Sequence, residues 1–495
     1  GCVSIYNDIS SIVGEMNVSK SEMDLLVYSR DLASSIPDEL LKAYGLLGPD
    51  LVVLARDTEH VSGVLAYAHQ KRIPVVPRAA GTWALGGVLP LDGGLVLDMN
   101  NMDKIVEFNP EDEYVRVQPG IEWKRLIDYL DTRGYTVGAN PSSGLSATIG
   151  GYICTGGAAG IGVTKHGTVG DQIISLKVAL ADGKVIETNP LDSWLFVGSE
   201  GTLGIICEAT LKIFRKESVR YMMFAFDSLD EGTEALQRLY KLKPYFISFL
   251  DGGLVRLLNK VGGHLNESPL TVALAINGTE QELDFKEAKI QEICKDAFRY
   301  PDEEAEHEWQ NRYKTGLSFK RLGPSLFAQE MRIPVKYLNN ALRELDELLK
   351  DYQWGAESLA GDNDTVVLSI LVLADERMQV QYVKQLSLML PIFRIAFRNH
   401  GAVFGIGLHN AAHMRGIHGA GLDVMRAIKD SLDPKNIVNP SKTLEAVFPK
   451  PLLMMFFTMM GIVPQVMLFG LQLMSYLPLK LIKFGLGFLK LRIDF

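Results

Sequence analysis

Apolar and polar positions fall into distinct blocks along the chain. Leu51-Val-Val-Leu54 is a short apolar run that predicts a strand. Asp57-Thr-Glu-His60 then offers a side-chain acceptor ahead of free amides, the pattern of a helix start, and Val61 to His69 continues at helical spacing. Ile73-Pro-Val-Val-Pro77 returns to strand. This βαβ rhythm ends at a glycine loop. From about residue 81 to 215 the chain is rich in glycine and strand-like runs, with close-set glycines at 86–87, 93–94, 150–151, 156–157 and 160–162. From about 220 to 400 it turns helix-friendly and charge-bearing, as at 280–296 and 337–350, and reads as a second domain.

The far end differs again. Residues 451–479 carry no charge, and Lys480, Lys483, Lys490 and Arg492 follow among apolar residues. Pro464 and Pro478 cut this stretch into pieces too short to cross a hydrocarbon core of ~30 Å. The lysine spacing suits the wet side of an interfacial helix. Three readings stay open: a membrane-dipping anchor, a docking surface for a membrane or partner subunit, and internal core.

Composition narrows the classes. The 495 residues are 47% hydrophobic and 22% charged, which is ordinary globular usage, and the length suggests two or three domains. The formal charge of −9 argues against a nucleic-acid binder, which needs a basic stripe. Cys2, Cys154, Cys207 and Cys294 are too scattered for a disulfide framework, a zinc ribbon or an iron–sulfur cluster. No basic-then-apolar leader is visible, and Ile5 stands where a myristoylation motif needs Ser or Thr.

The chemistry concentrates in the glycine loops. Pro77-Arg78-Ala79-Ala80-Gly81-Thr82-Trp83 follows a strand and exposes successive backbone N–H groups, a nest suited to a pyrophosphate. Thr148-Ile-Gly-Gly151, Gly156-Gly157, Lys165-His-Gly-Thr-Val-Gly-Asp171, Leu180-Ala-Asp-Gly-Lys184 and Gly198-Ser-Glu-Gly-Thr-Leu-Gly-Ile-Ile206 follow in order. This ordered set resembles the FAD-binding domain of the vanillyl-alcohol-oxidase superfamily, most of all its glycolate oxidase and D-lactate dehydrogenase branch. The likeness covers about 25–215 and resumes at Gly405-Ile-Gly407 and Asp433-Pro-Lys-Asn-Ile-Val-Asn-Pro440.

The resemblance implies that Arg78 to Thr82, with Pro77 and Trp83 adjoining, cradle the FAD diphosphate. It places Ser142, Ser143, Thr148, Gly150 and Gly151 along the diphosphate and flavin, and Gly156, Gly157 and His166 near the isoalloxazine or ribityl chain. Glu200, Gly201, Gly204 and Ile206 match the adenine-end turn, and Asn436 with Pro440 the closing C-terminal segment. Relatives attach FAD covalently through a histidine in the first loop. Gly81, Thr82 and Trp83 stand there, so noncovalent FAD is expected.

The catalytic pattern departs from the family. A His-x-Gly-Asp-Gly-Asn-x-His metal-binding strand matches Leu359-Ala-Gly-Asp-Asn-Asp-Thr-Val366, with Leu359 and Val366 at the histidine places. A Gly-Glu-His-Gly-Ile-Gly turn matches Ala402-Val-Phe-Gly-Ile-Gly407, with Val403 and Phe404 in place of acid and histidine. Aliphatic and phenyl groups neither bind metal nor accept a proton, so no metal site is expected. His409 is the substitute base offered by the sequence, with His400, His413 and His418 nearby; the i, i+4 spacing of His409 and His413 would put two imidazoles on one helix face as a relocated base or a metal site, and solvated histidines of a glycine-rich loop are the competing reading. Arg312, in a Trp-x-x-Arg segment, and Arg332 are candidates for gripping a substrate carboxylate, with structural ion pairs as the competing role.

The expected fold is α+β. A two-subdomain FAD-binding domain of vanillyl-alcohol-oxidase type (1–218) precedes an α/β cap domain (219–404). A segment returning to the flavin (405–449) and a hydrophobic helical tail (450–495) follow. The expected role is an FAD-dependent dehydrogenase subunit, 2-hydroxy-acid-dehydrogenase-like, peripheral on the cytoplasmic side of a membrane. It would discharge electrons to an iron–sulfur protein, an electron-transferring flavoprotein or a quinone. A hydrophobic or lipid-like substrate, and an electron relay with a degenerate substrate site, are the alternatives.

Overall fold

The computed structural model describes residues 2–32, 48–312, 318–323, 325–375 and 377–444; the apolar tail at 450–495 lies outside the described residues. Among them the strands form three sheets. The first contains β1 (Val18–Ser19), β2 (Leu51–Leu54), β3 (Val75–Arg78) and β4 (Leu95–Asp98), in the order β1-β2-β4-β3. Strands β2, β4 and β3 run parallel, as a βαβ crossover requires. The crossover helix Thr58–Lys71 starts where the sequence indicates: Asp57 accepts a hydrogen bond from the His60 amide at 2.8 Å. Val61, Val64, Leu65 and Ala68, at helical spacing, are fully buried against this sheet.

The second sheet is antiparallel. It contains β5 (Ile105–Asn109), β6 (Tyr114–Val117), β7 (Tyr135–Val137), β8 (Ile173–Ala179), β9 (Val185–Glu187) and β10 (Ile205–Arg215), in the order β5-β6-β10-β8-β9 with β7 also on β10. Leu180-Ala-Asp-Gly-Lys184 is the turn joining β8 to β9, closed by the Gly183 amide donating to Leu180 O at 2.8 Å.

The third sheet carries β11 (Ser218–Phe226), β12 (Phe246–Asp251), β13 (Leu270–Gly278), β14 (Phe298–Arg299), β15 (Ser325–Pro334), β16 (Trp354–Ala360), β17 (Thr365–Ala374) and β18 (Ala402–Val403). Their order is β14-β11-β13-β12-β16-β17-β15-β18, and every pairing is antiparallel. The stretch that reads as helix-friendly in sequence is thus built on a broad sheet. Its alternation of side chains sorts two faces. Phe224, Ile247, Val272, Leu368 and Ile370 point to one side, where the helices Leu229–Tyr240, Glu280–Ile293, Leu338–Leu349 and Met389–Arg398 cover them. The other face looks toward the glycine loops.

Short links tie this sheet to the first two. Gly160 N donates to Ala360 O at 3.1 Å and Gly162 N to Tyr245 O at 2.7 Å. The chain then returns: Val438 bridges Val75 in parallel, with Val75 N donating to Ile437 O at 2.7 Å and Asn439 N to Val75 O at 2.8 Å.

Candidate active site

Between the glycine loops and the bare face of the third sheet lies a cavity of about 530 Å³. The loop after β3 forms one wall. None of the amides of residues 79–83 donates a hydrogen bond to another described residue, which leaves five uncommitted donors on residues that line the cavity. Unpaired amides in such a place are costly unless a ligand satisfies them, and a diphosphate does so. Arg78 does not reach out as a phosphate clamp. Its guanidinium donates to Arg30 O and lies 5.2 Å from the Tyr28 ring centroid, and Tyr28 in turn donates to buried Asp98. Burial lowers the Arg78 pKa, and Asp31, Tyr28 and Asp98 oppose that shift. Asp31 also accepts from the Gly86 amide at 2.8 Å. These props of the loop (Tyr28, Asp31, Asp98) carry no motif and escape sequence reading.

The second wall is the turn at 148–157. Thr148 caps the short helix Ile149–Cys154 by accepting from Gly151 N, 3.3 Å away. A Cβ on Gly150 would lie 2.5 Å from Pro119 Cβ, so only glycine lets the backbone sit this close. Gly157 has φ +47°, and a Cβ there would meet Val169 Cγ1 at 2.4 Å. Ser142, Ser143, Thr148, Gly150, Gly151 and Gly157 all line the cavity, as do Pro77 to Trp83. So do Glu200, Gly201, Gly204 and Ile206. An elongated dinucleotide with a negatively charged middle and flat ends fits this donor set and these side-chain-free walls.

Glu200 proves to be a structural hub. Its carboxylate accepts from Gly407 N at 2.9 Å and from the Thr443 hydroxyl at 2.5 Å, while its carbonyl accepts from Asn439 Nδ2 at 2.8 Å. Asn439 also donates to Gly87 O at 3.1 Å and accepts from buried Lys442 Nζ at 2.5 Å. Burial holds the Glu200 carboxyl above its usual range and the Lys442 ammonium below its own. The returning C-terminal segment therefore closes the site through Asn439, Lys442 and Thr443. Asn436 is not among the lining residues; it sits in the preceding turn, its amide donating to Asp433 O at 2.9 Å.

Three further expectations need correction. Gly156 is not in the cavity wall; it packs against Gly198, whose Cα would lie 3.6 Å from an added Cβ. His166 also stands outside, its ring 4.1 Å from Phe214 and edge-on to Tyr245, with burial lowering its pKa to about 4. His409 does not line the cavity, whereas Phe404, on the other side of the 405–407 turn, does. The His409 amide is held by Leu85 O at 3.2 Å, its ring packs beside Gly86, and Nε2 has no partner among the described residues. Desolvation lowers its pKa to about 4. His413 packs on Phe393 instead of pairing with His409, and His400 stacks on Tyr337.

The arginine candidates separate. Arg312 lines the cavity beside Trp309, with its guanidinium 3.9 Å from the indole centroid. Arg332 does not; it pairs with Asp362 and donates to Thr365 Oγ1 at 3.1 Å, an ion pair bracing β15 against the turn before β17. Leu359 and Phe404 line the cavity, whereas Val366 and Val403 are buried. Among the described residues no group of three or more His, Cys, Asp or Glu assembles.

The cap wall is the bare sheet face. Phe246, Leu250, Leu359 and Leu371 make it apolar, with Trp309 stacked 5.3 Å from Tyr221 at its edge. Two carboxylates interrupt it. Glu330 on β15 and Glu357 on β16 both stand opposite Ser369 on β17, so the three share one row of one face. Ser369 Oγ donates to Glu330 Oε1 at 2.9 Å. The period-2 alternation at Glu330-Met331-Arg332 was the available signal for this row: Met331 is fully buried in the core, so Glu330 faces the other way.

Comparison with known proteins agrees with this geometry. Residues 49–189 match the model of an FAD binding domain, and residues 215–443 match the C-terminal domain of FAD linked oxidases. A glycolate oxidase subunit GlcD of Bacillus subtilis is 27% identical over 466 residues, covering 88% of this chain and 96% of that one. A probable mitochondrial D-lactate dehydrogenase of Danio rerio is 29% identical, covering 80% and 84%. In fold alone, p-cresol methylhydroxylase superposes with a TM-score of 0.76 at 15% identity, covering 90% of this chain and 97% of that one. The 4-ethylphenol oxidase of Gulosibacter chungangensis does so with 0.73 at 16%, covering 91% and 98%.

Proposed function

The chain belongs to the FAD-linked oxidases, a family of FAD-dependent oxidoreductases with glycolate oxidase and D-lactate dehydrogenase among its members, and from this premise we propose that it is a dehydrogenase for a hydroxy acid or alcohol with an apolar body. The observation that carries this reading is the cap wall: where the resembling family needs imidazoles and a metal, this cavity presents Leu359 and Phe404, continuous with Phe246, Leu250 and Leu371. A short polar acid such as glycolate leaves that surface unfilled, whereas a chain or ring buries it at ~25 cal/mol per Å².

The residues divide the work. The amides of 79–83, with Ser142, Ser143 and Thr148, would hold the diphosphate of FAD, and the glycine walls at 150–151 and 157 would admit it. FAD, when bound, supplies the acceptor for two electrons and a hydrogen from the substrate. Arg312 is placed to pair with a substrate carboxylate, its fork pre-oriented on Trp309. Arg332 is committed to Asp362.

The scattered cysteines offer no cluster for onward electron transfer, which supports a separate acceptor: an iron–sulfur protein, an electron-transferring flavoprotein or a quinone. The uncharged run at 451–479 and the lysines after it support attachment at the cytoplasmic face of a membrane. Anaerobic bleaching of the bound flavin tests the reading. D-2-hydroxyoctanoate is expected to bleach it faster than D-lactate or glycolate. Bleaching by the short acids alone refutes the apolar substrate, and reduction only through a partner protein refutes the dehydrogenase assignment.

A further inference from the structure

We propose that Glu357, paired with Glu330 across Ser369, is the proton acceptor for the substrate hydroxyl in this chain, the role for which His409 is misplaced. The proposal rests on the dehydrogenase reading above and deepens it.

Four observations support it. First, both carboxylates face the cavity from the wall opposite the diphosphate loop, on strands of a rigid sheet. Second, neither has a cationic partner among the described residues. Glu330 accepts from Ser369, and Glu357 has no hydrogen bond to a described residue, which leaves it the freer of the two. An acid that merely held the sheet together would be paired; an unpaired one on a ligand cavity is a functional feature. Third, the positions that carry acid and imidazole in the resembling family are Val403 and Phe404, so no other side chain at that turn can take a proton. Fourth, burial raises the Glu357 carboxyl to about 7, and the nearby Glu330 charge adds to the shift. Glu330 is raised too, by burial, against the pull of the Ser369 hydroxyl. A base poised near neutrality both accepts and releases a proton readily.

Among the described residues the other ionisable groups on the cavity are Glu308, Arg312 and Tyr221 on the cap side, and Asp31, Arg78, Tyr152, Cys154 and Glu200 on the loop side, where burial keeps Tyr152 and Cys154 protonated and neutral. Arg78 and Glu200 are engaged as described, and of the whole set Glu330 is the charge that acts on Glu357. In the step, the hydroxyl O–H bond breaks and its proton forms an O–H bond to a Glu357 carboxylate oxygen. The electron pair left on oxygen makes the carbonyl, while the carbinol hydrogen departs with its own pair to FAD. Release of the proton from Glu357 through Ser369 and Glu330 to the cavity water resets the pair.

The test uses FAD-loaded protein and two readouts. Infrared difference spectra from pH 5 to 9 are expected to show a protonated carboxyl disappearing with a midpoint near 7. Glu200 is also raised to about 7 and contributes to the same band, so Glu357→Gln should remove one carboxyl's share of its amplitude, and Glu330→Gln should move that share's midpoint down. In single turnover with D-2-hydroxyoctanoate, wild-type bleaching should rise through the same midpoint. Glu357→Gln should slow it by about 100-fold or more at full flavin content, with partial recovery in Glu357→Asp. A band amplitude undiminished in Glu357→Gln, or bleaching slowed less than about threefold, overturns the proposal. Failure of the wild type to bleach with any hydroxy acid or alcohol overturns the dehydrogenase reading instead, and the proton-acceptor role falls with it.

Discussion

A carboxylate kept in an apolar wall has a thermodynamic cost that can be measured without substrate. Burial and Glu330 move the proton affinity of Glu357 from 4.5 to about 7. The folded state therefore prefers the protonated acid more than the unfolded chain does. This carboxyl's contribution to stability is most favourable below pH 4.5, falls as pH rises toward 7, and is level above it. At ~1.36 kcal/mol per pH unit the cost at pH 8 is about 3 kcal/mol. Glu357→Gln keeps the shape and removes the charge. It should leave the melting temperature close to wild type at pH 5 and raise it at pH 8, by roughly 5–10 °C if the cap unfolds as one unit. The assay is thermal unfolding followed by near-ultraviolet circular dichroism at matched flavin content, from pH 5 to 9. A wild-type minus variant difference that does not change with pH, or a wild type more stable than the variant at pH 8, refutes the reasoning.

Other consequences follow from the same contacts. Gly150→Ala drives a methyl to 2.5 Å from Pro119 Cβ, an overpacking cost of about 1–3 kcal/mol, and should weaken FAD binding about tenfold or more by fluorescence titration. Asn439→Ala strands Gly87 O, Glu200 O and Lys442 Nζ and places alanine at φ +45°, for a loss of roughly 3–5 kcal/mol by denaturant unfolding. Asn439→Gly, free of that backbone strain, should lose about 1 kcal/mol less. Arg312→Leu should raise KM for D-2-hydroxyoctanoate far more than for 1-octanol. Arg332→Leu should change neither beyond about twofold, because its half-exposed pair with Asp362 is worth about 1 kcal/mol or less.

Much of the loop wall was legible because its signals are local. Asp57 announces a helix start three residues ahead of a bonded amide, and the glycines at 150 and 157 mark places where a side chain has no room. Contacts that depend on distant segments were not legible. Tyr28 and Asp98 support Arg78 across 50 and 20 residues without any motif. Asn439, not Asn436, reaches Glu200, because the choice between them depends on the register of the returning chain. The histidines mislead for the same reason. His409 sits five residues after Phe404, but across the 405–407 turn Phe404 lines the cavity and His409 packs beside Gly86 outside it. In the cap, the charged composition suggests helices, while the functional face is a β-sheet row in which Glu330, Ser369 and Glu357 meet from three separate strands.

Every step above requires a flavin dinucleotide at the loop wall. The most direct measurement is the absorption spectrum of protein purified in mild detergent, with FAD titrated into any apo fraction. A yellow protein with equimolar FAD, released intact on denaturation, is the predicted result. A colourless protein whose spectrum and melting temperature do not change on adding FAD would contradict it.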